Sequence, residues 1–187
     1  MSERRIAKLK DLLILCRKGI TPCYSDTIAD TICVLNQKCN RDYKICLDEA
    51  RLHDRIKKHV PVELILRNHD ILVNSTGKGT LGRVGQFKVQ SFPVTVDSHM
   101  LILRPNEAVD PVFLGYYVKL FQDDLMNKGL GSSGQEELDK LSLLNISVNY
   151  PADAEKQRII GELLNHIDEK ISLNEQLNHN LAPRLAA

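Results

Sequence analysis

Asp70-Ile71-Leu72-Val73-Asn74-Ser75-Thr76-Gly77-Lys78-Gly79-Thr80-Leu81-Gly82-Arg83-Val84-Gly85 is the stretch on which the fold turns. Two short β-type runs flank a turn of Ser, Thr and Gly, where glycine permits positive φ and close backbone approach. Ser75, Thr76, Lys78 and Arg83 place hydrogen-bond donors on that turn, and such donors suit a phosphate backbone. A nucleotide-binding phosphate loop is excluded. It needs Ser or Thr directly after Lys78, where Gly79 stands.

Around this hairpin, Thr31 to Leu35, Val60 to Leu66, Val84 to Val89, Val94 to Val96 and Met100 to Leu103 read as further short strands between Gly, Pro, Asn and Asp punctuation. Ile6 to Cys16 carries apolar residues at helical spacing with Gly19 as a stop, which predicts a short N-terminal helix. Asp110-Pro111 is an N-cap and first-turn pair, and apolar spacing from Val112 to Leu125 predicts one amphipathic helix running to Gly129. A short helix over Glu136 to Leu141 and a last strand over Leu144 to Val148 close a domain at Pro151. The expected fold is α+β, with a β-rich domain over 1–151 and a long C-terminal helix over 152–187.

That last helix, Asp153 to about Leu181, would be about 42 Å long at 1.5 Å per residue and outruns a small domain. Ile160, Ile167, Asn174 and Leu181 recur every seven residues, and Leu163, Leu164, Ile171 and Leu177 fill the alternate positions of a coiled-coil seam interrupted by Lys170 and Asn178. Two arrangements fit this pattern: pairing with a defined partner helix, which the polar Asn174 favours, or lengthwise packing on the chain's own domain.

Hydrophobic residues make up 43% of the chain and charged residues 26%, near globular averages, and no apolar run reaches the roughly 20 residues a bilayer requires. Met1 to Lys10 is basic but lacks the apolar region of a secretory signal, so a cytoplasmic location is expected. Cys16, Cys23, Cys33, Cys39 and Cys46 form no CxxC pair and are expected to be reduced thiols in or near a core. The net charge of +1 conceals a segregation: residues 1–88 hold 17 Lys and Arg against 10 Asp and Glu, and residues 89–187 hold 8 against 14. One end can face phosphates and the other protein.

Catalysis has no visible home. Asn149-Tyr150-Pro151 holds the residue types of an adenine-methyltransferase loop in the wrong order, with no Gly-rich strand-to-helix turn before it, and neither a Gly-x-Ser-x-Gly elbow nor HExxH spacing occurs.

Asp70 to Gly77, Gly79 to Arg83, Asp97-Ser98-His99, Gly134-Gln135 with Leu138, and Asn145 to Val148 with Pro151 together resemble the target-recognition domain of Type I restriction-modification specificity subunits. Glu155, Gln157, Ile159 and Ile160, leading to Leu173-Asn174-Glu175-Gln176-Leu177-Asn178, are similar to the opening of that family's spacer helix. The resemblance runs from Leu9 and Gly19-Ile20-Thr21-Pro22 to the C-terminus. It implies a subunit that reads double-stranded DNA and binds methyltransferase subunits and, through the complex, a restriction subunit. S-adenosylmethionine, ATP and Mg are expected only on those partners, and this chain is expected to bind no cofactor or metal and to catalyse nothing. Complete members carry two domains and two helices; one of each here implies a homodimer through the C-terminal helix or a fragment of a longer subunit. A non-catalytic decoy that occupies methyltransferase partners without productive DNA reading is the alternative.

Such a domain must place side chains at base edges, where Arg and Lys read guanine and Asn and Gln read adenine. Gln37, Lys38, Asn40 and Arg41, after the first strand, are the candidates for base or groove contacts. Ser75, Thr76, Lys78 and Arg83 are the candidates for holding phosphates, with Ser132, Ser133 and Gln135 as a second DNA-binding loop.

Overall fold

The computed structural model of the chain describes residues 3–26, 30–128 and 137–185, with side chains in the last helix described as far as 179. The strands are β1 (Arg4–Lys8), β2 (Leu13–Lys18), β3 (Thr31–Leu35), β4 (Asn40–Arg41), β5 (Lys44–Ile45), β6 (Arg51–Asp54), β7 (Ile71–Asn74), β8 (Val84–Gln86), β9 (Val94–Val96), β10 (Met100–Pro105) and β11 (Ser147–Pro151). Helices α1 (Pro111–Lys119), α2 (Gln122–Lys128) and α3 (Lys140–Leu144) lie between β10 and β11, and α4 (Ala154–Leu185) follows. The fold is α+β, as its sequence predicts.

The central sheet has the order β2-β10-β7-β8, and β7 and β10 are buried on both faces. Ile71, Val73, Leu101 and Leu103 face a core shared with Leu114 and Val118 of α1. Leu72, Met100 and Ile102 face a second core with Ile32, Val34 and Val96 of the small sheet β6-β3-β9. Burial on both sides explains why Ile71-Leu72-Val73 and Met100 to Leu103 read as continuous apolar runs rather than alternating ones.

Two expected elements are corrected. Ile6 to Cys16 is not a helix but β1, a 3-10 turn over Leu9–Leu12 and β2. Leu9 and Leu12 are fully buried by that turn while Ile6 and Ile14 stay exposed, and β1 pairs antiparallel with β11 from the other end of the domain, a tertiary contact that overrides local spacing. Val60 to Leu66 is not a strand: it holds a 3-10 turn at Val62–Leu64, and the carbonyls of Glu63, within the turn, and Ile65, just after it, accept from Arg104 at 3.1 and 3.0 Å. Arg104 also grips Asp70 bidentately (2.9 and 2.7 Å), both side chains buried. This cation pins the segment to β7 and β10.

The Asp110 cap is present, its carboxylate accepting from Phe113 N at 2.8 Å ahead of Pro111. The helix it starts does not run unbroken to Gly129; it stops at Lys119 and resumes as α2, where the Gln122 side chain turns back to accept from Val84 N (2.9 Å) on the edge of β8. The short helix expected from Glu136 forms later, as α3, capped by Asp139.

Helix α4 spans 32 residues, about 48 Å at 1.5 Å per residue. Its first turns are fixed by the buried Gln157, which donates to Pro151 O (2.8 Å) and accepts from Asp110 N (2.7 Å). One turn on, Gly161 lies so close to α1 that a Cβ would fall 2.8 Å from Phe113 N. Beyond it Asp168 accepts from Tyr116 Oη (2.9 Å), and the exposed pairs Lys88–Glu169 and Lys44–Glu175 (each 3.2 Å) continue the contact. Among the described residues no helix is long and apolar enough to cross a membrane.

Candidate nucleic-acid interface

Three segments distant in sequence converge at one end of β7. The β7–β8 turn is built by Gly77, Gly79 and Gly82 at φ +114°, +72° and +75°. Such values strain any residue with a Cβ. The 3-10 turn at Gln37–Cys39 follows β3, capped by Asn36, whose Oδ1 accepts from Lys38 N (2.8 Å). Asn74 Nδ2 donates to Gln37 O (2.9 Å), and the Gln37 side chain lies 3.4 Å from where a Cβ on Gly77 would stand. The third segment is the turn at Asp97–His99: Ser75 N donates to His99 O (2.8 Å), and Thr76 Oγ1 and His99 Nδ1 are hydrogen-bonded at 2.7 Å.

The described residues on either side of 129–136 reach the same place. Glu137 bridges Thr76, Leu138 N donates to Ser75 O (2.8 Å), and a Cβ on Gly82 would fall 2.7 Å from Met126 N. Ser132, Ser133 and Gln135 themselves lie outside the described residues.

Lys38, Arg41 and Lys78 are exposed, and Gln37, Thr76 and Arg83 are half-buried. Arg41 Nε donates to Lys38 O and Arg83 Nη2 to Gly79 O, each at 3.1 Å, so both guanidiniums also brace the turns that carry them. Asn40 and Ser75 are corrected. Asn40 is fully buried, its amide donating to Leu72 O, Asn74 Oδ1 and Arg83 O at 3.0 to 3.3 Å, so it is a strut under the surface and not a base contact. Ser75 is 1% exposed and its hydroxyl has no hydrogen-bond partner among the described residues, so it joins the turn to the core through its backbone and presents no donor to a phosphate.

Beside these turns lies a recess of about 430 Å³, walled in part by Tyr24, Gln37, Lys38, Arg51, Asp97 and His99. The Arg51 guanidinium stands 3.5 Å over the Tyr24 ring. Asp97, 3% exposed, accepts from His99 N (2.9 Å), and burial pushes its carboxyl above the usual carboxylate range. The sequence reading missed Tyr24 and Arg51, whose pairing is tertiary and leaves no local signal. A larger cleft, about 690 Å³, runs between α4 and the domain, but the Lys88–Glu169 pair spans it and it reads as a packing seam.

On α4 the face toward the domain is made by Gln157, Gly161, Leu164, Asn165, Asp168 and Ser172. Leu164 therefore packs on the domain core rather than joining the seam. Ile160, Leu163, Ile167, Ile171 and Leu177 are 38 to 59% exposed, an apolar stripe that the domain leaves uncovered together with the exposed Asn174. The side chain of Leu181 lies outside the described residues.

The family model described as the Type I restriction modification DNA specificity domain matches residues 35–182. Among solved structures, a chain from a type I R-M system, studied for its complex assembly and conformational transition, matches with TM-score 0.68 and 16% identity over 93% of this chain and 40% of that one. The HsdS subunit from Thermoanaerobacter tengcongensis matches at TM-score 0.61 and 16% identity (93% and 39% covered), and the Type-I restriction-modification system S subunit from M. genitalium at 0.62 and 14% (94% and 42%). The chain thus spans about 40% of the length of these solved chains. No functionally curated protein matches it.

Proposed function

Since the chain belongs to the Type I restriction modification DNA specificity domain family, we propose that it is the DNA-reading component of a restriction-modification complex, directing methyltransferase and restriction subunits to a split target site. The observation that carries this reading is the convergence of the Gln37–Cys39 turn, the β7–β8 turn and the Asp97–His99 turn on one end of the domain, with Lys38, Arg41 and Lys78 exposed on it. Exposed cations can hold phosphates while the adjoining polar recess meets base edges, and sequence-specific recognition needs both. Modification chemistry, with the target adenine turned out of the duplex, falls to the methyltransferase partner, which also holds S-adenosylmethionine; ATP and Mg belong to the restriction subunit.

The uncovered stripe of α4 supports pairing with a second copy. Burying a Leu or Ile side chain contributes about 1.5 to 3 kcal/mol, and several on each helix offset the entropy of association. Antiparallel helices about a twofold axis would cross near Ile167 to Ile171 and set the two domains at opposite ends, which suits an inverted repeat with a gap.

Selection from a random-sequence duplex pool by the full chain with its methyltransferase subunit tests the proposal. Enrichment of one gapped motif is expected. A complex that forms but enriches nothing would instead establish the decoy alternative.

A further inference from the structure

The recess beside the glycine turn has a composition unlike a phosphate site. Asp48, Glu49 and Asp97 line it together with the cations Lys38 and Arg51, so it does not offer the uniformly positive surface that holds a nucleic-acid backbone. A base-pair edge is the part of DNA that suits a mixed lining, because it presents acceptors and donors side by side. Arg51 opens β6, the edge strand of the small sheet, where it stands opposite Val34 of β3. It makes no ion pair among the described residues, although two exposed carboxylates share the recess. What holds it is the Tyr24 ring, 3.5 Å from the guanidinium carbon.

The surroundings of this stack are braced. Asn36 Nδ2 donates to Glu49 O (2.6 Å), tying the Gln37–Cys39 turn to the segment before Arg51. Ser25 N donates to Leu52 O (3.1 Å) and Tyr24 bridges His53, so the ring and the guanidinium sit on segments hydrogen-bonded to each other. His99, which also lines the recess, is bonded to Thr76 of the β7–β8 turn, which joins the recess to the turn that carries Lys78. A planar guanidinium stacked on an aromatic face, unneutralised and held on a strand, has lost much of its rotamer freedom before any ligand arrives. That arrangement matches the two acceptors of guanine, O6 and N7, which arginine reads with two parallel hydrogen bonds.

We propose that Arg51, positioned by Tyr24, reads a guanine in the major groove and fixes one base of the target sequence. The proposal rests on the DNA-reading role argued above, and its test separates the two. The full chain with its methyltransferase subunit is used to select a motif, and affinity is then measured on duplexes in which each guanine in turn is replaced by 7-deazaguanine, which lacks the N7 acceptor. At one position the unmodified protein is expected to lose affinity about threefold to thirtyfold, since one of the two hydrogen bonds of a bidentate contact is removed and the bond to O6 remains. Arg51→Met, which keeps an unbranched stem but has no donor, should be indifferent to that replacement and accept other bases there, while its preference elsewhere in the motif is unchanged. Tyr24→Phe should retain the discrimination and Tyr24→Ala should weaken it. A loss of fold in any variant would erase the whole motif, whereas the proposed role erases one position. If 7-deazaguanine costs Arg51→Met as much as the unmodified protein at every position, or the motif contains no guanine, Arg51 is not the reader and the DNA-reading role stands. If the unmodified protein selects no motif, both fall together.

Discussion

Asp70 and Arg104 show what the most recognisable stretch of the sequence does at the level of single side chains. Asp70 opens the hairpin motif, yet its carboxylate points away from the turn into a buried, bidentate pair with Arg104. Removing one member of a buried pair leaves an uncompensated charge, so Asp70→Ala or Arg104→Ala should destabilise the domain by about 3–5 kcal/mol, read as the free energy of urea unfolding. Asp97 has the opposite sense. Burial raises its folded-state pKa, so its ionisation favours the unfolded chain; the penalty is absent below the ordinary carboxylate range and complete above the raised value. Asp97→Asn, which keeps the acceptor for His99 N, should therefore raise the urea midpoint at pH 7 and match the unmodified protein near pH 3. Lys78 is exposed and forms no ion pair among the described residues. Lys78→Ala should weaken binding to all DNA sequences alike and lower the slope of log affinity against log salt by about one unit, measured by titration at several salt concentrations.

Among the elements, α4 has two working faces, and each admits its own substitution. Gly161 allows α4 to cross α1 in near contact, so Gly161→Leu should prise the helix from the domain, seen as increased amide exchange at Tyr116 and its neighbours without loss of the central sheet. Ile167→Asp with Ile171→Asp alters only the uncovered stripe and should convert a dimer to a folded monomer in light scattering at tens of micromolar. How far these elements could be read beforehand follows from where their causes lie. The glycine turn and the Asp110-Pro111 cap are local devices, and both form where the residues indicate. The stripe on α4 was visible as a heptad pattern, but the assignment of Leu164 required knowing where Gln157 and Gly161 anchor the helix. The N-terminal segment was misread because β1 finds its partner in β11, and Asn40 because its burial depends on the backbone of β7 and β8. Arg51 and Tyr24 meet only once β6 is in place.

For the whole molecule, the described residues form a domain whose one end gathers cations around glycine turns and a helix whose outer apolar stripe the domain leaves uncovered. The proposed DNA-reading role puts the duplex at the end of the domain around β7. Photocrosslinking of the full chain, with its methyltransferase subunit, to a selected duplex carrying 5-iodouracil, followed by mass spectrometry of the adducts, tests this most directly. Adducts are expected within the segments 36–41, 76–83 and 97–99. Adducts confined to α4 or to the β1–β11 ribbon would contradict the claim.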